Sequence, residues 1–229
     1  MGVIVIRLFI GYDPRESIAW HVLAHSIYAR SSVPVSFVPL ALSTLGGLMW
    51  RERSALQSTD FSFSRFLVPY LSGYEGWSIF MDCDMLVRDD ISNLWALRDD
   101  RYAVMCVKHQ HEPTETVKFL DAPQTRYEKK NWSSVMLFNN ARCRALTPEY
   151  VNTASGLELH QFKWLASDDE IGEIPAEWNH LVGYQPPRSG VKNVHYTLGG
   201  PYFREFADCE YALDWFIERD RMMRVDQRV

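Results

Sequence analysis

The sequence predicts an α/β fold, and three observations carry that prediction. Short apolar runs of strand character alternate with segments of helical periodicity through the first half of the chain, the pattern of a sheet flanked by helices. The run VIVIRLFIG at 3–11 is nearly continuous in apolar residues, as a central parallel strand buried on both faces must be. Hydrophobic residues make up 47% of the 229 positions, ample for one core, and no repeat, low-complexity tract or domain-length linker divides them. A single domain over 1–229 is therefore expected.

The elements follow in order. The first strand, Val3 to Gly11, ends at Tyr12-Asp13-Pro14-Arg15-Glu16. There Asp13 reads as an N-cap, Pro14 as the first helical position and Glu16 as the capping-box partner. A helix then runs from about Arg15 to Arg30 with Ile18, Val22 and Ile27 facing inward. A second strand fits Val35 to Leu40 and closes in a loop around Gly46-Gly47. Ser62 to Leu71 reads as a short helix whose last turn Pro69 limits. Trp77 to Met81 is the next strand, followed by a brief helix at Ile91 to Leu97 and a strand at Tyr102 to Val107. The stretch from Lys108 to Lys130 is polar and irregular, with the character of a long loop. A strand at Val135 to Asn139 precedes helices around Pro148 to Ala154 and Gly156 to Leu165. A late strand fits Val191 to Tyr196, and Tyr211, Trp215 and Phe216 give a final helix one apolar face.

Charge and composition exclude several roles. With a net charge of -5 and a pI near 5.8, the chain has no basic face for nucleic acid, and no run of Lys and Arg supplies one. No apolar run approaches the roughly 20 residues that a membrane span needs, and no secretory signal is visible. The four cysteines, Cys83, Cys106, Cys143 and Cys209, are widely spaced and form no C-x-x-C pair, which fits neither a zinc site nor a redox motif. Reduced thiols in a cytoplasmic protein are the expectation. The aromatic content of 14%, with eight Trp, suits either a large core or a cleft lined with rings.

The segment SIFMDCDMLV at 78–87 concentrates the chemistry. Asp82 and Asp84 interrupt an apolar run, and a buried carboxylate needs a partner or a metal. Bare D-x-D is weak: with 15 aspartates, on the order of one chance match is expected, and a solvated turn is the plain alternative. The context is more telling, because the pair follows a strongly apolar strand and a further acidic pair, Asp89-Asp90, comes after it. Two carboxylates two residues apart suit a hard divalent cation and leave positions for phosphate oxygens. Ligands in open α/β sheets bind beyond the carboxyl ends of the strands. The Tyr12-Asp13 and Asp82-Cys83-Asp84 turns both sit at such ends, so parallel neighbouring strands would place Asp13, Asp82 and Asp84 in one crevice.

FSFSRFLVPYL followed by GWSIFMDCDMLVRDDISNLW resembles the donor-site region of glycosyltransferase family 8, which includes glycogenin and bacterial lipopolysaccharide glycosyltransferases. Arg65, Pro69, Asp82, Asp84 and Leu94 match that family's pattern in order and spacing. The resemblance implies a GT-A fold with a mixed, mostly parallel central sheet flanked by helices. It also implies a nucleotide-binding half at about 1–107 and an acceptor-side half at about 108–229. The implied activity is retaining transfer of a hexose from a nucleotide sugar, UDP-glucose or UDP-galactose, to a glycan or other hydroxyl acceptor. Mn2+ or Mg2+ would be held by Asp82 and Asp84.

Other segments extend the resemblance in patches over residues 3 to about 203. IRLFIGYDPRESIAW is similar to the first strand and its nucleotide-contacting turn, which makes Tyr12 and Asp13 candidates for holding the uridine, beside Cys83 and Arg65 at the donor. An aromatic ring can stack on a base and a carboxylate can accept from its N–H; for Asp13, helix capping is an equal alternative. KNVHY resembles the late strand whose histidine is a third metal ligand, which assigns that role to His195. The lysine that usually grips the phosphate after it is missing from Thr197-Leu198-Gly199-Gly200-Pro201. Backbone N–H groups of Gly199 and Gly200, or Lys192, are the substitutes. In Asn131-Trp132-Ser133-Ser134 the small positions are kept, while Trp132 stands where a polar residue is usual, either packing on a sugar face or serving the core. Asp169, and after it Asp168, occupy an acidic segment that would line the sugar pocket, orienting hydroxyls or steadying an oxocarbenium ion. A solvated helix edge is the alternative there, and Glu177-Trp178-Asn179 reads as an acceptor-side or structural element.

Two other readings stand beside the transferase. A phosphatase of the haloacid dehalogenase type also places D-x-D after an apolar strand, with the first aspartate as nucleophile. It would use magnesium without a histidine ligand. A non-catalytic carbohydrate-binding relative would keep the fold and lose the chemistry.

Overall fold

The computed structural model describes residues 5–53, 57–110 and 128–224. The first two residues of the predicted opening strand, and positions 111–127 of the predicted long loop, lie outside the described residues. A six-stranded sheet forms the centre. Its strands are β1 (Ile6–Gly11), β2 (Val35–Leu40), β3 (Trp77–Met81), β5 (Val104–Cys106), β6 (Val135–Asn139) and β7 (Ile171–Glu173). They lie in the order β2-β1-β3-β6-β5-β7. β1 is parallel to both β2 and β3, and β5 is parallel to β7. β6 runs antiparallel to both of its neighbours. The sheet is therefore mixed and mostly parallel, as expected, with β6 its reversed strand.

Apolar runs explain the middle of this sheet. Leu8, Ile10, Ile79, Phe80, Met81, Val135, Met136, Leu137 and Phe138 are all inaccessible to solvent. Side chains on successive residues point to opposite faces of a strand, so burial of every one requires cover on both faces. Each such side chain contributes about 1.5–3 kcal/mol on leaving water.

A second sheet was not legible in the sequence. It consists of β4 (Met85–Val87), β8 (His180–Leu181) and β9 (Asn193–His195), in the order β4-β9-β8. β4 pairs antiparallel with β9 so that Met85 faces His195. The predicted strand at 191–196 is thus real but shorter. Its three residues are held between β4 and β8 rather than in the main sheet.

The helices are α1 (Ser17–Tyr28), α2 (Val68–Leu71), α3 (Ile91–Trp95), α4 (Pro148–Thr153), α5 (Gly156–His160) and α6 (Ala212–Met222). Val22 and Ile27 of α1 are buried and Ile18 is half-buried. α6 docks on α1 through Glu218, whose carboxylate accepts from His25 Nδ1 and Arg30 Nη2, both at 2.6 Å. Trp215 of α6 is buried, and Tyr211 and Phe216 are half-buried beside it.

Three local expectations need correction. The predicted 62–71 helix is a 3-10 turn at Ser64–Leu67 followed by α2, and Pro69 lies in the first turn of α2, where its missing N–H costs nothing. The helix predicted to reach Leu165 stops at His160. Phe162 adopts a left-handed backbone (φ 59°) and turns its ring against Trp132 and Trp164. Glu16 is not a capping-box partner. Asp13 caps the 3-10 turn Pro14–Glu16 through Arg15 N, and the Glu16 carboxylate accepts instead from Tyr202 Oη.

Candidate active site

The Asp82-Cys83-Asp84 turn is the corner at which the chain leaves one sheet for the other. β3 ends at Met81, and the Asp82 N–H makes one more bond, to Ser134 O at 2.9 Å. Three residues after Asp82, β4 begins in the second sheet. The Asp84 carbonyl accepts from Tyr196 N at 2.9 Å, and Met85 faces His195 across the ladder. This register carries the imidazole of β9 to the end of β3.

One atom each from Asp82, Asp84 and His195 lies within 4.8 Å of the other two. His195 Nε2 stands 3.4 Å from Asp84 Oδ1, and the imidazole is only 2% exposed. The orientation of its ring follows from its partners. Asn179 Nδ2 faces the Asn131 carbonyl at 3.4 Å and the Ser134 hydroxyl at 2.8 Å. A carbonyl only accepts, so the amide nitrogen belongs on that side, and Asn179 Oδ1 faces His195 Nδ1 at 2.9 Å. Nδ1 therefore carries a proton and donates it, and Nε2 is the ring nitrogen that faces the carboxylates. Ligating histidines are held in this way by a second partner.

These donors fit a divalent cation. Two carboxylates and an imidazole nitrogen converge there, a donor set that suits a hard or borderline divalent ion. Arg65 supplies part of the balance. Its guanidinium pairs with Asp82 Oδ1 at 2.8 Å, donates to Ser133 O at 2.9 Å, and lies 5.3 and 5.0 Å from the Phe61 and Phe80 ring centroids. It is 6% exposed, so its position is set by packing as well as by charge.

β1 and β3 are adjacent and parallel, Ile10 lying opposite Met81, so the Tyr12-Asp13 and Asp82-Asp84 turns do share one edge of the sheet. The end of β1 packs closely on the segment before Arg65, because a Cβ on Gly11 would run into the buried Phe61 ring. Asp13, however, is fully buried. Its Oδ1 accepts from Arg15 N and Nε, and its Oδ2 from Arg15 Nη2 and Asp60 N. Burial pushes its carboxyl upward, but these bonds outweigh that and hold it below the usual carboxylate value. Capping and cross-linking are thus its visible work. Tyr12 is half-buried, with its N–H bonded to Leu40 O. Cys83 is fully buried, and burial together with the charges of Glu16, Asp84 and Asp82 keeps its thiol well above the ordinary value.

The remaining candidates are distributed more widely. Asp168 and Asp169 are exposed, in the 3-10 turn that enters the amino end of β7, and Asp168 Oδ1 pairs with Lys129 Nζ at 2.5 Å. They stand outside the Asp82–Asp84–His195 group and are tied by Lys129 to the segment that leads into β6. The Gly199 N–H is donated to Tyr196 O, and a Cβ on Gly200 would meet the Tyr202 ring. Lys192 is engaged with Asp89 at 3.4 Å and lies over Trp178. Asp90 caps α3 through Ser92 N, so the second acidic pair is structural. Trp132 is half-buried, bonded to His109 O and packed on Phe162.

Two residues around this site escaped the sequence reading. Glu16 hid behind a helix-start pattern that explained it locally. Tyr202 carried no signal at all, because its partner lies 186 positions away. Burial and the neighbouring Asp84 push the Glu16 carboxyl up to about 8.

No family model matches the chain. Protein CDI of Arabidopsis thaliana is 49% identical over 231 residues, covering 97% of this chain and 89% of that protein. Several solved structures share the fold at low identity. The galactosyltransferase LgtC, solved with donor and acceptor sugar analogues, superposes with a TM-score of 0.59 at 13% identity over 97% of this chain and 98% of its own. GlyE of Streptococcus pneumoniae gives 0.63 at 13% identity over 94% of this chain and 60% of its own. The bifunctional glycosyltransferase WbbM gives 0.60 at 14% over 93%, and this chain spans 51% of its length. The fold is that of the GT-A glycosyltransferases.

Proposed function

The chain belongs to the family of Arabidopsis thaliana Protein CDI, and from the ligand groups gathered on its GT-A frame we propose that it is a metal-dependent retaining glycosyltransferase of the family 8 type. The observation that carries the proposal is the convergence of Asp82, Asp84 and a His195 whose Nε2 faces them. The donor is a UDP-hexose, UDP-glucose or UDP-galactose, and the acceptor a glycan or other hydroxyl. The chain acts in the cytoplasm as one unit, with a nucleotide-binding half at about 1–107 and an acceptor-side half at about 108–229.

Asp82, Asp84 and His195 would hold Mn2+, or Mg2+ in its place. Such an ion neutralises charge on a departing nucleoside diphosphate. Arg65 keeps Asp82 aimed and lends its own charge to the donor side. Tyr12 stacks on the base, with Asp13 and Cys83 shaping the turns beside it and Gly199 and Gly200 letting the backbone approach the diphosphate. Asp169, assisted by Asp168, faces the sugar hydroxyls. The acceptor hydroxyl attacks the anomeric carbon from the face that the diphosphate leaves, so configuration is retained.

The GT-A frame and the engagement of Asp82 with Arg65 speak against the haloacid dehalogenase alternative, whose first aspartate must attack phosphorus. A thermal-shift panel of nucleotides with and without Mn2+ tests the proposal. Stabilisation by UDP only in the presence of metal is expected. Absence of a response to every nucleotide would overturn the transferase reading.

A further inference from the structure

Lysine is scarce in this chain, six residues against 18 arginines, yet two of the six lie against one indole ring. Lys108 Nζ is 5.8 Å and Lys129 Nζ 5.9 Å from the ring centroid of Trp132. The two ammonium groups differ in their partners. Lys129 donates to Asp168 Oδ1 at 2.5 Å and to Gln161 O at 3.0 Å. Lys108 is half-buried, and among the described residues no carboxylate pairs with it and no carbonyl accepts from it. A half-buried ammonium held by a ring alone is a charge that an anion can complete.

The turn that presents this ring has an unusual backbone. Lys129 and Asn131 have φ of 59° and 64°, the left-handed region that residues other than glycine seldom adopt. Strain of this kind persists where the surroundings fix it, and it gathers at binding sites. Trp132 Nε1 donates to His109 O at 2.9 Å, which fastens the turn to the end of β5. On its other side the same turn meets the aspartates, where Arg65 donates to Ser133 O and the Asp82 N–H to Ser134 O. β3, β6 and β5 are successive strands, so the carboxyl ends of β3 and β5 lie on one edge, two strand spacings or about 10 Å apart. Lys108 therefore faces a sugar beside the cation centre rather than the diphosphate upon it.

We propose that Lys108, with Trp132 as its base and Lys129 beside it, forms a subsite for a hexuronate of the acceptor, whose carboxylate accepts a hydrogen bond from the Lys108 ammonium. The inference rests on the transferase reading above and names the acceptor class, an acidic glycan. One unmatched ammonium fits one carboxylate, whereas a phosphate monoester would bring about 1.5 to 2 charges. The bond is charge-assisted on both sides, and the indole offers an apolar body for a pyranose ring. In a chain of net charge -5, a local positive group of this kind is what draws an acidic glycan to the site.

The full chain labelled with 5-fluorotryptophan tests this, the Trp132 fluorine signal being assigned with Trp132→Phe. Methyl glucuronide and methyl galacturonide are titrated against methyl glucoside and methyl galactoside, without metal or nucleotide. The acidic glycosides should shift the Trp132 signal and bind about tenfold or more tighter than the neutral ones, the effect of one hydrogen bond to a charged group. Lys108→Gln should abolish that preference, and Lys108→Arg should keep most of it because it keeps the charge. Should Lys108→Gln not fold, Lys108→Met takes its place. No shift with any glycoside, equal binding of acidic and neutral ones, or a preference that survives Lys108→Gln overturns the subsite and leaves the transferase reading standing. Tighter binding of glucose 6-phosphate than of the glucuronide overturns the assignment to a carboxylate. Titration with UDP-glucuronate and UDP-glucose in Mn2+ separates acceptor from donor. Lys108→Gln should leave the ratio of their affinities unchanged, and a ratio that changes with Lys108 overturns the acceptor assignment. A preference for acidic glycosides without a response to any nucleotide overturns the transferase reading and the acceptor role with it, while the acidic-sugar site stands.

Discussion

His195 Nδ1 lies 2.9 Å from Asn179 Oδ1, and this single bond decides which nitrogen of the imidazole faces the carboxylates. Asn179 is itself fixed by Ser134 and Asn131, in the segment that enters β6. The nitrogen that faces the carboxylates therefore depends on Asn179, Ser134 and Asn131, which lie outside the cluster.

Asn179→Ala should weaken Mn2+ binding by about 10–100-fold, because the freed ring can rotate or move its proton to Nε2. Asn179→Asp keeps an acceptor at the same place and should restore most of the affinity. Calorimetric titration with Mn2+ checks both. If Asn179→Ala binds as wild type does, the imidazole is oriented by something else.

Arg65→Ala should destabilise the fold by about 3 kcal/mol, near the lower end for removing one partner of a buried pair, since the Asp82 side chain keeps 14% exposure. Arg65→Lys should recover only part of this, because an ammonium keeps the charge but loses the planar group beside the Phe61 and Phe80 rings and the Nε–H bond to Phe61 O. Urea unfolding measures the loss. With saturating Mn2+ the gap between Arg65→Ala and wild type should narrow, because a second positive charge then faces Asp82.

His180 makes stability depend on pH. It is fully buried in β8, its ring is edge-on to Tyr211, and neither ring nitrogen has a hydrogen-bond partner. Burial first, and then the charges of Arg188 and Arg88, lower its pKa from the ordinary 6.5. An unfolded chain takes up this proton below about pH 6.5 while the folded chain resists. The contribution of His180 is therefore fully present above that pH. It is lost as pH falls toward the folded pKa, with a slope of at most about 1.4 kcal/mol per unit. Urea midpoints at pH 7.5, 6.5 and 5.5 should fall less steeply for His180→Phe than for wild type. Parallel curves for the two proteins would remove His180 from the account.

The apolar runs were enough to reveal β1, β3 and β6, because near-complete burial of a strand leaves an almost unbroken hydrophobic record, while the more exposed edge strand β2 was legible from its short Val- and Phe-bearing run. D-C-D at the end of such a run marked the site for a similar local reason, since carboxylates interrupt it at a definite place. Asp13 as a cap was also legible, its bond reaching only two residues. What the chain order could not disclose was everything that depends on contact between distant segments. β4, β8 and β9 have three, two and three residues, too few for a periodic pattern, and exist because they pair with each other. That pairing, with Met85 opposite His195, brings the third ligand to the aspartates. Glu16 shows the limit most sharply. Its local pattern specified a helix start, while its burial and its bond to Tyr202 were decided by packing, where the cost of burying a carboxyl depends on neighbours rather than on sequence spacing.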